Sequence, residues 1–141
     1  MDQPHCITLP RVKGKSGFLS YMDQDGDLPI VVKHFYWVYD VSEDAQRGDH
    51  AHLNSDRVLI CVSGKLKVMI EGVGGEKFEF ELDDPSKVLF FPRWYWIQLT
   101  FSKNSILFVA SSCTFKEDVI ITDYQEFKKL SLKSPFRGLN M

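Results

Sequence analysis

Apolar and polar positions along the chain alternate in short runs, and turn-forming residues break the runs. The clearest run is Lys77-Phe78-Glu79-Phe80-Glu81-Leu82, where every second residue is apolar. A period of two sends alternate side chains to opposite faces, so this segment predicts a strand with one buried and one wet face. Residues 57–62 and 65–71 are apolar-rich and flank Ser63-Gly64, which predicts a hairpin. Residues 17–22, 88–91, 94–101 and 106–111 read as further strands, and 30–41 as a longer one rich in β-branched and aromatic side chains. Polar turns fall at 23–27, 72–75, 83–86 and 102–105, and 42–48 is expected to be a polar loop. A helical stripe occurs at 123–130, carried by Tyr124, Phe127 and Leu130. Thr122 is its expected N-cap, with Gln125 at the reciprocal capping-box position. Residues 131–141 read as a loosely held tail. Many short strands with one late helix predict an all-β sandwich or barrel, and no repeat or linker divides 1–141 into more than one domain.

Composition narrows the function classes. The chain has 141 residues, 44% of them apolar, which is enough for one domain with a real core. Its net charge is −2 with no basic block, so a nucleic-acid partner has no electrostatic support. No apolar run approaches the length that crosses a bilayer, and no membrane partner is expected. The N-terminal Met-Asp-Gln-Pro-His lacks the basic-then-apolar start of a secretory signal. Cys6, Cys61 and Cys113 are odd in number and scattered, which argues against a disulfide framework and for the reducing cytoplasm.

The candidate chemistry concentrates in Arg47-Gly48-Asp49-His50-Ala51-His52. On an extended segment His50 and His52 point to the same face, and paired imidazoles either bind a metal or move a proton near neutral pH. A metal needs at least a third ligand. After four intervening residues, the position where a carboxylate would follow His52 holds Arg57. The adjacent Asp56 would face the other way on a strand unless a bulge intervened, and the later run Phe91-Pro92-Arg93-Trp94-Tyr95-Trp96 contains no histidine, so neither a metal nor any other cofactor is expected. Asp23-Gln24-Asp25-Gly26-Asp27 imitates a calcium loop but has Leu28 and His34 where Gly and Glu belong. The glycines at 72–75 are not followed by Lys-Ser or Lys-Thr, and read as a turn rather than a phosphate loop.

Two histidines two apart in a small all-β chain resemble the cupin jelly roll. More closely, Arg-Gly-x-His-Ala-His resembles the motif of the bacterial sugar 3,4-ketoisomerases, cupin enzymes acting on dTDP-4-keto-6-deoxyglucose. Leu28-Pro29, then Val32-Lys33-His34-Phe35-Tyr36-Trp37-Val38, is similar to the family's proline and double-aromatic strand; Val58 to Gly64, and 118–129 with Tyr124 and Phe127, are similar to later parts. The resemblance implies a cupin-type jelly-roll β-barrel with a short C-terminal helix. It also implies a dTDP-sugar substrate, a homodimer, and a role in making deoxyamino sugars such as those of O-antigen lipopolysaccharide.

Shifting a ketone from C-4 to C-3 requires a base near neutral pKa that returns the proton as an acid, which suits histidine. The resemblance assigns that role to His52, with His50 orienting it, binding sugar oxygens or relaying the proton. Tyr36, with His34 on the same strand face, is a candidate donor to the enediolate, and Arg47 and Arg57 are candidates for the charged nucleotide. Several positions depart from the family pattern: Asp49 replaces an aromatic, Leu53 a lysine and Arg57 a glutamine. Ser16 precedes the early glycine where an arginine or aromatic is usual, and Trp96 lies near a usual histidine or arginine. Ser16 and Trp96 are expected near the sugar, where such residues help set which face of C-4 is protonated. An epimerase on a related nucleotide sugar, a metal-dependent cupin and a non-catalytic sugar-binding cupin remain open alternatives.

Overall fold

The computed structural model describes residues 2–130. In chain order the strands are β1 (His5–Thr8), β2 (Arg11–Lys13), β3 (Phe18–Ser20), β4 (His34–Val38), β5 (Ala45–His52), β6 (Arg57–Ser63) and β7 (Leu66–Gly72). There follow β8 (Lys77–Leu82), β9 (Lys87–Phe91), β10 (Tyr95–Phe101), β11 (Ile106–Ser111), β12 (Ile120–Ile121) and one helix, α1 (Tyr124–Lys129). Among the described residues two five-stranded sheets form, in the orders β1-β9-β6-β11-β4 and β12-β5-β10-β7-β8, and β2 pairs with β3 in a separate two-stranded sheet. All pairings are antiparallel. This is the all-β jelly roll with one late helix that the sequence predicts.

The alternation that marks each strand is what builds the core. Val68 and Ile70 on β7, Ile97 and Phe101 on β10, and Leu107 and Val109 on β11 meet between the sheets, all 2% exposed or less. The reverse face of the first sheet buries Val58, Ile60, Val88 and Phe90 under N-terminal residues including Leu9 and Ile30. The segment 23–27 serves that cover: Gln24 donates to the Ile30 carbonyl and accepts from the Val32 N–H, so the acidic turn is a strap. The reverse face of the second sheet buries Ala51 and Trp96 beneath Phe127 of α1.

Three elements differ from expectation. The strand expected at 30–41 is confined to β4, and just past its C-terminal end Asp40 takes a left-handed φ of 59° that breaks the extended run. The expected loop at 42–48 becomes strand from Ala45 onward, where backbone pairing with β10 replaces the missing apolar pattern. The helix is capped by Asp123 rather than Thr122; its carboxylate accepts from the Gln125 and Glu126 N–H groups at 2.8 and 3.2 Å, and the negative charge suits the helix N-terminus. The tail expected at 131–141 lies outside the described residues.

Candidate active site

The histidines owe their placement to a break in β5. Gly48 has φ 101° and Asp49 φ 55°, and the β5–β10 register shifts between Ile97 and Gln98. Such an inserted residue re-aims the strand that follows it. Glycine is required here: a Cβ at Gly48 would lie 2.7 Å from the Ile97 carbonyl oxygen. Beyond the break His50 pairs with Ile97, a core residue, and Ala51 pairs with Trp96. His50 and His52 therefore point between the sheets, and Ala51 and Trp96 point out toward α1.

Inside the barrel the two rings meet edge to face, with their Nε2 atoms 3.0 Å apart. The other nitrogen of His52, Nδ1, lies 3.0 Å from both carboxylate oxygens of Asp118 and 3.1 Å from Arg57 Nη2. Arg57 also donates to Asp118 and, at 3.4 Å, to the Tyr36 hydroxyl, while Ser55 donates to Asp118 at 3.2 Å. Asp118 reaches the dyad because β12 pairs with β5, setting Ile120 opposite His52. Asn54 pins the approach, donating to the Glu117 carbonyl and accepting from the Val119 N–H.

Burial sets the protonation states. His52 is 4% exposed, and burial, the Arg57 charge and His50 together lower its pKa to about 4, against the opposing pull of Asp118. Burial also lowers His50, with its bond to the Gly48 carbonyl and the Asp118 charge opposing. Both rings are thus neutral at pH 7 and can accept a proton. Burial raises the Tyr36 phenol above its ordinary value despite Arg57, so Tyr36 keeps its proton and remains a donor. Asp118 meets His52 on the nitrogen turned away from His50, so the carboxylate and the two Nε2 atoms do not converge on one point. Among the described residues no three His, Cys, Asp or Glu side chains form a metal-ligating group.

The fold gathers His34, Tyr36, His50, His52 and Arg57 on the inner faces, with His34 and Tyr36 rings 5.6 Å apart. Arg47 pairs with the core residue Leu99, shares that inner face and is exposed. Three expected substrate contacts have other surroundings. Arg57 is 3% exposed, with its guanidinium engaged by Asp118, His52 and Tyr36 rather than open to a diphosphate. Trp96 is buried on the opposite side of its sheet, its ring 5.5 Å from that of Phe127. Ser16 sits exposed in the turn of the β2–β3 hairpin, which is hydrogen-bonded into neither large sheet. The residue that sequence reasoning missed as part of the site is Asp118, 66 positions from His52. Its only sequence signal is that the segment resembling the family's C-terminal part begins there.

Comparison with known proteins agrees with this architecture. A TDP-4-oxo-6-deoxy-alpha-D-glucose-3,4-oxoisomerase from Aneurinibacillus thermoaerophilus is 27% identical over 128 residues, covering 90% of this chain and 91% of that protein. QdtA, a sugar 3,4-ketoisomerase from Thermoanaerobacterium thermosaccharolyticum solved with TDP, superposes with a TM-score of 0.84 at 27% identity, covering 92% and 95% of the two chains. A TDP-fucose-3,4-ketoisomerase from Campylobacter jejuni, WlaRA, gives 0.82 at 28% identity, covering 92% and 96%. Residues 2–132 match the family described as "FdtA: WxcM-like, C-terminal". With nearly its whole length matched and the paired histidines seated in the barrel, this chain belongs to the FdtA, WxcM-like C-terminal family.

Proposed function

We propose that this protein is a sugar 3,4-ketoisomerase that converts dTDP-4-keto-6-deoxyglucose to the 3-keto isomer. The observation that carries the reading is the pair of neutral imidazoles, 3.0 Å apart, inside the barrel. The relatives' names supply the substrate class. His52 takes the C-3 proton, and the released electron pair forms the C-3–C-4 double bond as the C-4 oxygen becomes an oxyanion. The histidine pair then returns the proton to C-4 of the enediolate, while the C-3 hydroxyl proton passes to the C-4 oxygen, leaving a ketone at C-3 and a hydroxyl at C-4. The His50–His52 pair carries the carbon-bound proton between the two centres. Tyr36, a phenol that keeps its proton, donates to the developing oxyanion. Arg47, exposed on the inner face, is the cation placed to meet the diphosphate.

A homodimer fits the surface. Phe35 and Trp37 on edge strand β4, with Tyr39 just past its end, are 58%, 56% and 65% exposed, an aromatic stripe of the kind that protein interfaces cover. Cys6, Cys61 and Cys113 are free thiols, which suits the cytoplasm and a role in deoxyamino-sugar synthesis there. The test is incubation with dTDP-4-keto-6-deoxyglucose in deuterated water, followed by NMR at C-3, C-4 and C-5. Deuterium entering C-3 or C-4 with a new 3-keto sugar is expected, and His52→Asn should abolish both. Absence of exchange and product refutes the proposal, and exchange at C-5 identifies an epimerase instead.

A further inference from the structure

His52 presents Nδ1 to two neighbours with opposite demands. Both Asp118 oxygens lie 3.0 Å away and need a proton on Nδ1; Arg57 Nη2, at 3.1 Å, needs a lone pair there. These demands name opposite tautomers of the ring. The carboxylate prevails on geometry. A bare Nδ1 would face two anionic oxygens with no hydrogen between them, whereas Arg57 Nη2 already has an acceptor in Asp118. The proton therefore sits on Nδ1 and leaves the Nε2 lone pair aimed at His50.

The Nε2 lone pair of His52 faces His50 Nε2 across 3.0 Å, so a proton between the two rings is within reach of both. When the pair carries an added proton, Asp118 stands behind the cation, and the departing C-3 proton leaves a negative enediolate in front of it.

We propose that Asp118 is a positioning residue which, by holding a proton on His52 Nδ1, bares Nε2 as the base and makes the histidine pair a receptor for a single shared proton. Arg57 and Ser55 hold the carboxylate in place. This inference rests on reading the site as a ketoisomerase centre, but its first test needs no substrate. Long-range 1H–15N correlation spectra of 15N-histidine-labelled protein at pH 7 should show His52 protonated on Nδ1. Asp118→Asn should weaken that preference and lower kcat by about 10–100-fold with little change in KM, the loss expected when a histidine's orienting partner is removed. It should also shift the acid limb of the kcat profile to lower pH, because the group that raises His52 basicity is gone. Asp118→Glu should recover the tautomer and part of kcat. A wild-type His52 protonated on Nε2 overturns the proposal whether or not any variant folds. So does an Asp118→Asn enzyme whose kcat and tautomer match wild type. A wild-type chain that turns over no keto-sugar refutes the ketoisomerase reading and leaves the tautomer result standing.

Discussion

Replacing His52 by asparagine should flatten part of the protein's pH-dependent stability, and the magnitude follows from burial. In the unfolded chain His52 titrates near its ordinary 6.5, whereas in the folded chain burial and Arg57 lower it to about 4. Between these values the unfolded state binds a proton that the folded state refuses, so stability rises with pH across the window. The contribution is fully present above pH 6.5 and is lost as pH falls toward 4. At about 1.4 kcal/mol per pH unit, the interval corresponds to about 3 kcal/mol. Urea unfolding of wild type and His52→Asn, followed by tryptophan fluorescence at intervals from pH 4 to 8, measures the term as a difference. Carboxylates that titrate over the same range largely cancel in the subtraction. Wild type should lose about 3 kcal/mol more than the variant between pH 6.5 and 4. Parallel curves, differing by less than about 0.5 kcal/mol across the window, would refute the claim that the folded state keeps His52 neutral.

Other substitutions probe the elements that support the site. Phe127→Ala empties the fully buried space between α1 and Trp96 and should cost about 3–5 kcal/mol in urea unfolding. Gly48→Ala, at φ 101° and against the Ile97 carbonyl, should cost about 1–3 kcal/mol and reduce kcat by moving His50, read by unfolding and steady-state kinetics. Trp37→Glu on the exposed stripe of β4 should convert the proposed dimer to monomer in sedimentation velocity, with the far-UV spectrum unchanged.

The alternation at Lys77–Leu82, the hairpin at Ser63-Gly64 and the stripe of α1 were legible because each is a local pattern. So was the same-face pair of histidines, since residues two apart on a strand share a face. The C-terminal end of the strand expected at 30–41 was not legible, because a left-handed residue such as Asp40 leaves no mark in hydrophobic periodicity. The position of Trp96 under α1 was not legible for a related reason. Its neighbours in sequence suggest a barrel strand but do not say which face of that strand α1 will cover.

By itself the sequence determined the all-β class, the run of short strands, and a same-face histidine pair. Those depend on periods of two and on the identity of the side chains. Only the tertiary structure decided what stands behind the pair. Asp118 comes 66 residues after His52 and reaches it through pairing of a two-residue strand. Arg57, which the sequence offers as a phosphate ligand, is buried against that carboxylate and becomes part of the support for the dyad. Strand pairing across such separations is fixed by how the two sheets close on a shared core, and no spacing along the chain records it.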